Sequence, residues 1–232
     1  SMGLFVLFFG TKKKYQNIKH HTIIFGKEYK ALLKKIFKGN ELPNDISIYF
    51  KKNFSKTSMG LFVLFFGTNK KYENIKHHTI IFGKEYKMLL KKIFKGNKLP
   101  TDISIYLHRP TATDKSFAPK NCDSFYALVP VPNLKSNINW EKDANIFKEH
   151  VIDVLSKRVL PNLKENIVDV FFMSPQDFSN DYLAHQGSGF SVAPYFTQSA
   201  WFRFHNKSEI IKNLYLVGAG THPGAGIPGV LS

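Results

Sequence analysis

The sequence predicts a mixed α/β (α+β) fold, and three observations carry that prediction. Short apolar runs such as Leu61–Phe66 and Ile167–Met173 end at a glycine or a Ser-Pro step and read as buried strands. Between them lie segments with apolar residues at helical spacing, Lys84–Phe94 and the stretch that begins at Trp140. Near the C-terminus the apolar run Leu214–Val217 meets Gly218, Gly220, Gly224, Gly226 and Gly229, the composition of a tight strand-to-helix turn.

In chain order, the first feature is a repeat. Residues 1–49 recur at residues 58–106, an offset of 57, with five replacements: Lys12/Asn69, Gln16/Glu73, Ala31/Met88, Glu41/Lys98 and Asn44/Thr101. A solenoid needs at least three stacked repeats. Two copies ahead of a unique sequence read instead as a tandem duplication or an error of sequence assembly. Copy two runs on into Leu107-His-Arg-Pro-Thr-Ala-Thr-Asp114, whereas copy one breaks off after Tyr49. Copy two is therefore the integrated one. Residues 1–57 are expected to be an extra element whose displaced apolar strand is an aggregation hazard.

Within copy two, Leu61–Phe66 and Ile80–Phe82 read as strands. Side chains alternate across a strand, so His77 and His78 are expected to face opposite ways. They should not converge on one metal, and they read as structural or surface residues. Lys84–Phe94 places Tyr86, Leu89, Leu90, Ile93 and Phe94 at helical spacing and ends before Gly96, a C-cap candidate. Ile103–Leu107 and Phe125–Val131 are further strands, separated by the proline-bearing loop 110–122. From Trp140 a long helix is expected on Ile146, Phe147, Val151, Val154 and Leu155, interrupted by Pro161. The strand Ile167–Met173 leads into Ser174-Pro-Gln-Asp-Phe178, a turn or helix start in which Asp177 reads as a capping carboxylate rather than a general base. Residues 182–200 are rich in Gly, Ser and aromatic side chains. Phe190, Tyr195, Phe196 and Trp201 could line a long apolar slot or fill a core.

Composition bounds the function classes. With 232 residues, 43% hydrophobic content and 22 phenylalanines, the chain is globular rather than disordered. Its formal charge of +16 invites nucleic-acid binding. However, the lysines are dispersed, and neither zinc-finger spacing nor an RNA-binding aromatic motif accompanies them, so no nucleic-acid partner is expected. The charge reads as solvated basic faces or as attraction to anionic lipid headgroups. The lone Cys122 cannot make an internal disulfide, which points to a reducing compartment and a buried structural thiol. No apolar run approaches the ~20 residues of a membrane-spanning helix, so membrane association would be peripheral. The opening Ser1–Gly10 lacks the basic leader of a signal peptide.

The order of residues in Leu214-Tyr-Leu-Val-Gly-Ala-Gly-Thr-His-Pro-Gly-Ala-Gly-Ile-Pro-Gly-Val230 closely resembles the C-terminal flavin-binding signature of the bacterial-type phytoene desaturases. These are carotenoid desaturases of the FAD-dependent, amine oxidase-like flavoproteins. Ser58–Thr68, His77–Gly83, Leu107–Asp114 and Thr197–Arg203 resemble family blocks in family order, and the resemblance spans residues 58–232. One departure is Phe204, which stands where the family usually has proline.

The resemblance implies an oxidoreductase acting on CH–CH groups that binds FAD and desaturates phytoene, with hydride passing to the flavin and a neighbouring proton lost. It implies an antiparallel-sheet substrate domain at 58–205 and the C-terminal piece of a Rossmann-like FAD domain at 206–232. Gly218, Ala219, Gly220 and Thr221 would lie beside the cofactor's phosphate or ribityl part, and Gly226, Ile227, Pro228 and Gly229 near the flavin ring. No residue is nominated as proton acceptor, and no metal is expected. The family's opening Gly-x-Gly-x-x-Gly block is absent here, so the chain reads as an inactive C-terminal fragment of a peripheral enzyme on the inner face of the cell membrane. A diapophytoene desaturase, a carotenoid isomerase and a basic lipid-surface binding remnant are the alternatives.

Overall fold

The structure is a computed structural model that describes residues 56–208 and 213–226. The expectations for copy one, and those for Ile227, Pro228 and Gly229, lie outside the described residues. The chain divides into two compact units, with described residues 56–194 in one and those from Tyr195 onward in the other.

The first unit is built on a five-stranded, wholly antiparallel sheet of order β2-β3-β4-β1-β5. Its strands are β1 (Gly60–Thr68), β2 (His78–Ile81), β3 (Ile105–His108), β4 (Asp123–Val131) and β5 (Ile167–Met173). Copy two thus supplies the interior strand β1, which pairs with β4 from Gly60↔Val131 to Thr68↔Asp123 and with β5 on its other side. Strand alternation sorts the side chains. Phe62, Leu64 and Phe66 of β1, Ile105 and Leu107 of β3, and Phe125, Ala127 and Val129 of β4 are buried on the inner face.

Helix α2 (Trp140–Arg158) covers that face; the four-residue α3 (Leu163–Asn166) follows it. Its buried stripe is Trp140, Ala144, Phe147, Val151 and Leu155, at helical spacing. Phe62 stacks on Trp140 at 5.9 Å and meets Phe147 edge-on at 5.1 Å. Ile146, which the sequence pattern puts among the apolar positions of this helix, is 70% exposed, because it lies one residue, about 100° of helix rotation, off Phe147. Asn139 caps the start through Lys142 N–H. Glu141 and Asp143 in the first turn, with Lys157 and Arg158 in the last, complement the dipole. The helix ends before Pro161, with Val159 N–H and Leu160 N–H both donating to Leu155 C=O.

Helix α1 (Tyr86–Lys95) buries only Leu89 and Ile93. Its start is capped from outside, since the Asp102 carboxylate accepts from Lys84 N–H at 3.0 Å and Glu85 N–H at 2.7 Å. Gly96 ends the helix, but in extended rather than left-handed geometry; a Cβ there would collide with the Lys92 carbonyl. Helix α4 (Pro175–Asp181) has a capping box in which Asp177 accepts from both Ser174 N–H and Ser174 Oγ at 2.7 Å. Asp177 is thus a capping residue. Cys122 is half-buried rather than buried, one residue before β4 begins.

In the second unit, the apolar run Leu214–Val217 does not form the strand that its composition predicts. It makes only an isolated antiparallel bridge, Tyr215 with Lys207, supported by Ser208 N–H to Leu214 C=O and Leu216 N–H to Asn206 C=O. A short apolar run becomes an extended strand when neighbours pair along it, and among the described residues of this unit only 206–208 do so.

Candidate functional site

The outer face of the sheet carries one aromatic side chain from every strand in a single line. Phe171 of β5 pairs with Phe65 of β1, Phe65 with Tyr126 of β4, Tyr126 with His108 of β3, and His108 with His78 of β2. Directly paired residues share a face, so the five rings form one rung across the sheet. Consecutive centroids are 4.6, 5.9, 4.7 and 5.3 Å apart. Four interstrand steps of ~4.8 Å give the rung a length of ~19 Å. Phe65 and Phe171 stack nearly parallel, at 10°.

Beside Phe65 the outer face dips. Gly67 offers no side chain there, and its neighbours in register are the small Ser124 and the exposed Asp169. The result is a hollow of about 280 Å³ lined by Phe65, Gly67, Ser124, Tyr126, Asp169 and Phe171. Burial, and then the Tyr106 hydroxyl beside it, push the phenol of Tyr126 up to about 12. It stays neutral across the physiological range and acts as an apolar ring with one polar tip.

At the β2 end the rung runs into three histidines. His77 lies just outside β2, so strand alternation does not govern it, and the expectation that His77 and His78 diverge is overturned. Their rings are 4.4 Å apart, and His77 Nε2 meets His108 Nε2 at 2.8 Å. His77 Nδ1 bonds Thr113 Oγ1, and His78 Nδ1 bonds the Tyr106 hydroxyl at 2.7 Å. Burial, then the neighbouring His77 and His78, hold His108 below the usual imidazole range.

What positions this cluster is a buried ion pair that sequence reasoning missed. Asp123 is 1% exposed and accepts from Arg109 Nε at 3.0 Å, Arg109 Nη2 at 3.1 Å, Thr111 Oγ1 at 2.7 Å and Tyr72 N–H at 2.7 Å. The Arg109 Nη1 donates to Ile75 C=O, and Arg109 N–H to His77 C=O. One carboxylate thus ties together Tyr72–His77, the end of β3 and the start of β4. The signal is there in the sequence, an Arg directly after one strand and an Asp at the head of another, but only the register joins them.

The predicted cofactor residues occupy a turn. Gly218 has φ +123° with open space where a Cβ would stand, Thr221 N–H and Oγ1 both return to Gly218 C=O, and Thr221 bridges to Phe204. Arg203 donates to Ala219 C=O and lies against Gly224, which has φ +143° and where a Cβ would stand 3.4 Å from Arg203 Nε. Its Nε is buried without a partner, and burial holds the guanidinium below its usual range. Gly226 also has positive φ, +111°. Of the predicted slot residues, Phe190 is half-buried in the first unit, while Tyr195, Phe196 and Trp201 are exposed in the second, the last two at 84% and 69%.

No protein-family model matches the chain. Curated relatives do. The chain is 48% identical over 180 residues to a lycopene-forming phytoene desaturase of Paracoccus sp., a match that covers 77% of this chain and 36% of that protein. It is 45% identical over 182 residues to a lycopene-forming phytoene desaturase of Pantoea ananas, covering 78% and 37%. A 4,4'-diapophytoene desaturase of Methylomonas sp. matches at 35% over 189 residues, covering 80% and 37%. The chain is therefore a homologue of the carotenoid desaturases. Within that class its homologues at 45–48% identity are the bacterial phytoene desaturases, the family that its glycine-rich signature resembles. The chain spans about a third of the length of the curated relatives it matches.

Proposed function

We propose that this chain is the substrate-side portion of an FAD-dependent phytoene desaturase, an oxidoreductase acting on CH–CH groups in carotenoid biosynthesis. The observation that carries the reading is the 45–48% identity to phytoene desaturases over some three quarters of the chain. The weaker match to a diapophytoene desaturase favours phytoene as substrate over its shorter analogue. The outer sheet face supports it independently. A linear hydrocarbon needs a long apolar floor, and burial against one is favourable by ~25 cal/mol per Å². The rung from Phe171 to Tyr126, with its hollow, is such a floor. Phe190, Tyr195, Phe196 and Trp201 remain candidates for further contacts with the chain's substrate.

Bound FAD would supply the two-electron acceptor that carbon–carbon desaturation requires. The second unit has features that fit an electron-rich group: an open turn at Gly218–Thr221 and a guanidinium whose buried Nε lacks a partner. Gly218, Ala219, Gly220 and Thr221 would hold its phosphate or ribityl part, with Gly226, Ile227, Pro228 and Gly229 near the ring. The residues of the sheet would orient the polyene and exclude water from it.

Peripheral contact with an anionic membrane is part of the proposal, on the inner face of the cell membrane, where the substrate would dissolve. Among the described residues no helix is long and apolar enough to cross a membrane. On α1, Tyr86, Leu90 and Phe94 form an exposed stripe at i, i+4, i+8, extended by Phe82 at 5.8 Å from Tyr86 and flanked by Lys87 and Lys91. Rings and leucine would enter the interface, and each lysine near anionic lipid adds ~1 kcal/mol.

The test is retention of phytoene. The full chain, purified from cells that accumulate phytoene, should carry it through gel filtration in mild detergent, and Phe65→Ser with Phe171→Ser should strip it. Retention equal in the double variant and the parent would refute the aromatic floor. Sedimentation with phosphatidylglycerol vesicles, lost with Leu90→Glu and Phe94→Glu, tests the membrane face.

A further inference from the structure

We infer that His77, His78 and His108 form a binding site for one borderline divalent transition ion, with Zn²⁺ the best fit. The inference is independent of the desaturase reading. The three residues each offer a ring nitrogen, and these atoms all lie within 4.8 Å of one another. In a tetrahedral site with Zn–N bonds of ~2.0–2.1 Å, two ligand nitrogens are ~3.4 Å apart. The His77 and His108 Nε2 atoms, now 2.8 Å apart, need to separate by only about half an ångström to admit the ion between them.

The outer hydrogen bonds of the rings point the same way. Metal-bound imidazoles use their other nitrogen to bond a neighbouring group, which fixes the ring. His77 Nδ1 already bonds Thr113 Oγ1, and His78 Nδ1 the Tyr106 hydroxyl, so in both rings Nε2 is the nitrogen left for a metal. His108 likewise turns its Nε2 toward His77 Nε2, so it too would bind through Nε2, while its buried Nδ1 has no hydrogen-bond partner.

The frame is rigid where a metal site needs it to be. His78 and His108 face each other in register at one end of β2 and β3. His77 C=O accepts from Arg109 N–H, and the Arg109 side chain is locked to Asp123. The donor set decides the ion. Three neutral imidazoles without a carboxylate select Zn²⁺, Cu²⁺ or Ni²⁺ over Mg²⁺ and Ca²⁺. His78 is exposed, so a fourth position faces solvent, the arrangement of a three-histidine open site.

The test uses the full chain and two metal probes, Co²⁺ for its visible ligand-field bands and Zn²⁺ for calorimetry and thermal melts. The expected result is one equivalent bound, tetrahedral Co²⁺ bands displaced by Zn²⁺, and a melting temperature raised by Zn²⁺. His78→Gln, at an exposed position that leaves the fold intact, and His108→Gln should abolish the bands and the rise. Tyr106→Phe should weaken Zn²⁺ binding roughly ten-fold, through loss of the ring's outer partner, while leaving the metal-free melt unchanged. Because copy one repeats the pair as His20 and His21, a His20→Gln/His21→Gln variant is the control and should bind as the parent does. Three results would overturn the assignment: no Co²⁺ band, binding that survives His78→Gln with His108→Gln, or binding lost only in the control.

Discussion

Replacing Asp123 with asparagine keeps the shape of a buried side chain and removes its charge, and the hydrogen-bond geometry sets the cost. Oδ2 accepts from Tyr72 N–H and Arg109 Nε; Oδ1 accepts from Arg109 Nη2 and Thr111 Oγ1. An amide nitrogen at the Oδ2 position would face two groups that can only donate. At the Oδ1 position it faces one such group and the Thr111 hydroxyl, which can rotate and accept. The introduced amide therefore adopts the second orientation, leaving one donor-donor contact and an Arg109 side chain that is 8% exposed and without its counter-charge. Breaking a buried pair by removing one partner costs ~3–5 kcal/mol. The Thr111 rescue places Asp123→Asn near the lower end of that range, about 3 kcal/mol. Urea unfolding followed by Trp140 fluorescence, in a Trp201→Phe background so that only the first unit reports, measures it. Thr111→Val alone should cost about 1 kcal/mol, and clearly more on top of Asp123→Asn, where the hydroxyl is the amide's acceptor. A loss below about 1 kcal/mol for Asp123→Asn, the size of a surface pair, would refute the pair as the frame of the site.

Four more outcomes are expected. Asp102→Ala removes both outside caps of α1 and should cost ~0.5–2 kcal/mol at neutral pH. The Glu85 and then the Lys84 backbone N–H hold the Asp102 carboxyl below its ordinary 3.8, so its contribution is complete above that value and fades as pH falls through the lower folded one. Thermal melts of parent and variant should therefore converge in acid. Gly187→Ala, with φ +59° and the Pro175 carbonyl where a Cβ would stand, should destabilise by more than the ~1–2 kcal/mol of a left-handed residue alone. Gly67→Ala meets only Val168 Cγ2 at 3.5 Å; it should fold normally yet retain less phytoene, because its methyl fills the hollow. Leu155→Ala should cost ~2–5 kcal/mol in denaturant, whereas Ile146→Lys on the same helix should stay within ~0.5 kcal/mol.

The range of each interaction decides how much of it was legible in the chain. Ile167–Met173 has the bounds its apolar run implies, and α2 starts at Trp140 and stops before Pro161, because local patterning and capping set both. The same local reasoning identifies Asp177 as a cap. It fails where a partner lies far along the chain. Asp102 caps α1 from 17 and 18 residues downstream, and Arg109 meets Asp123 across a 14-residue separation. His77 and His78 defeat it for a subtler reason: alternation does not hold one residue before the strand begins.

The aromatic rung was the least legible feature and is the most informative. Each of its members sits in a different strand, so no window of sequence contains even two ring neighbours except through register. Register here is over-determined. The inner face of β1 must bury Phe62, Leu64 and Phe66 under α2, and slipping any strand by one residue would turn its core side chains out to water. The packing of the inner face thus places Phe65, Phe171, Tyr126, His108 and His78 in line on the outer one at no further cost. Core packing gives no reason for five rings to line up on the outer face, with Phe171 58% exposed. Exposed apolar patches of this kind mark places where something else binds. The fold accounts for the line; a hydrocarbon lying on Phe171, Phe65 and Tyr126 would account for its apolar end.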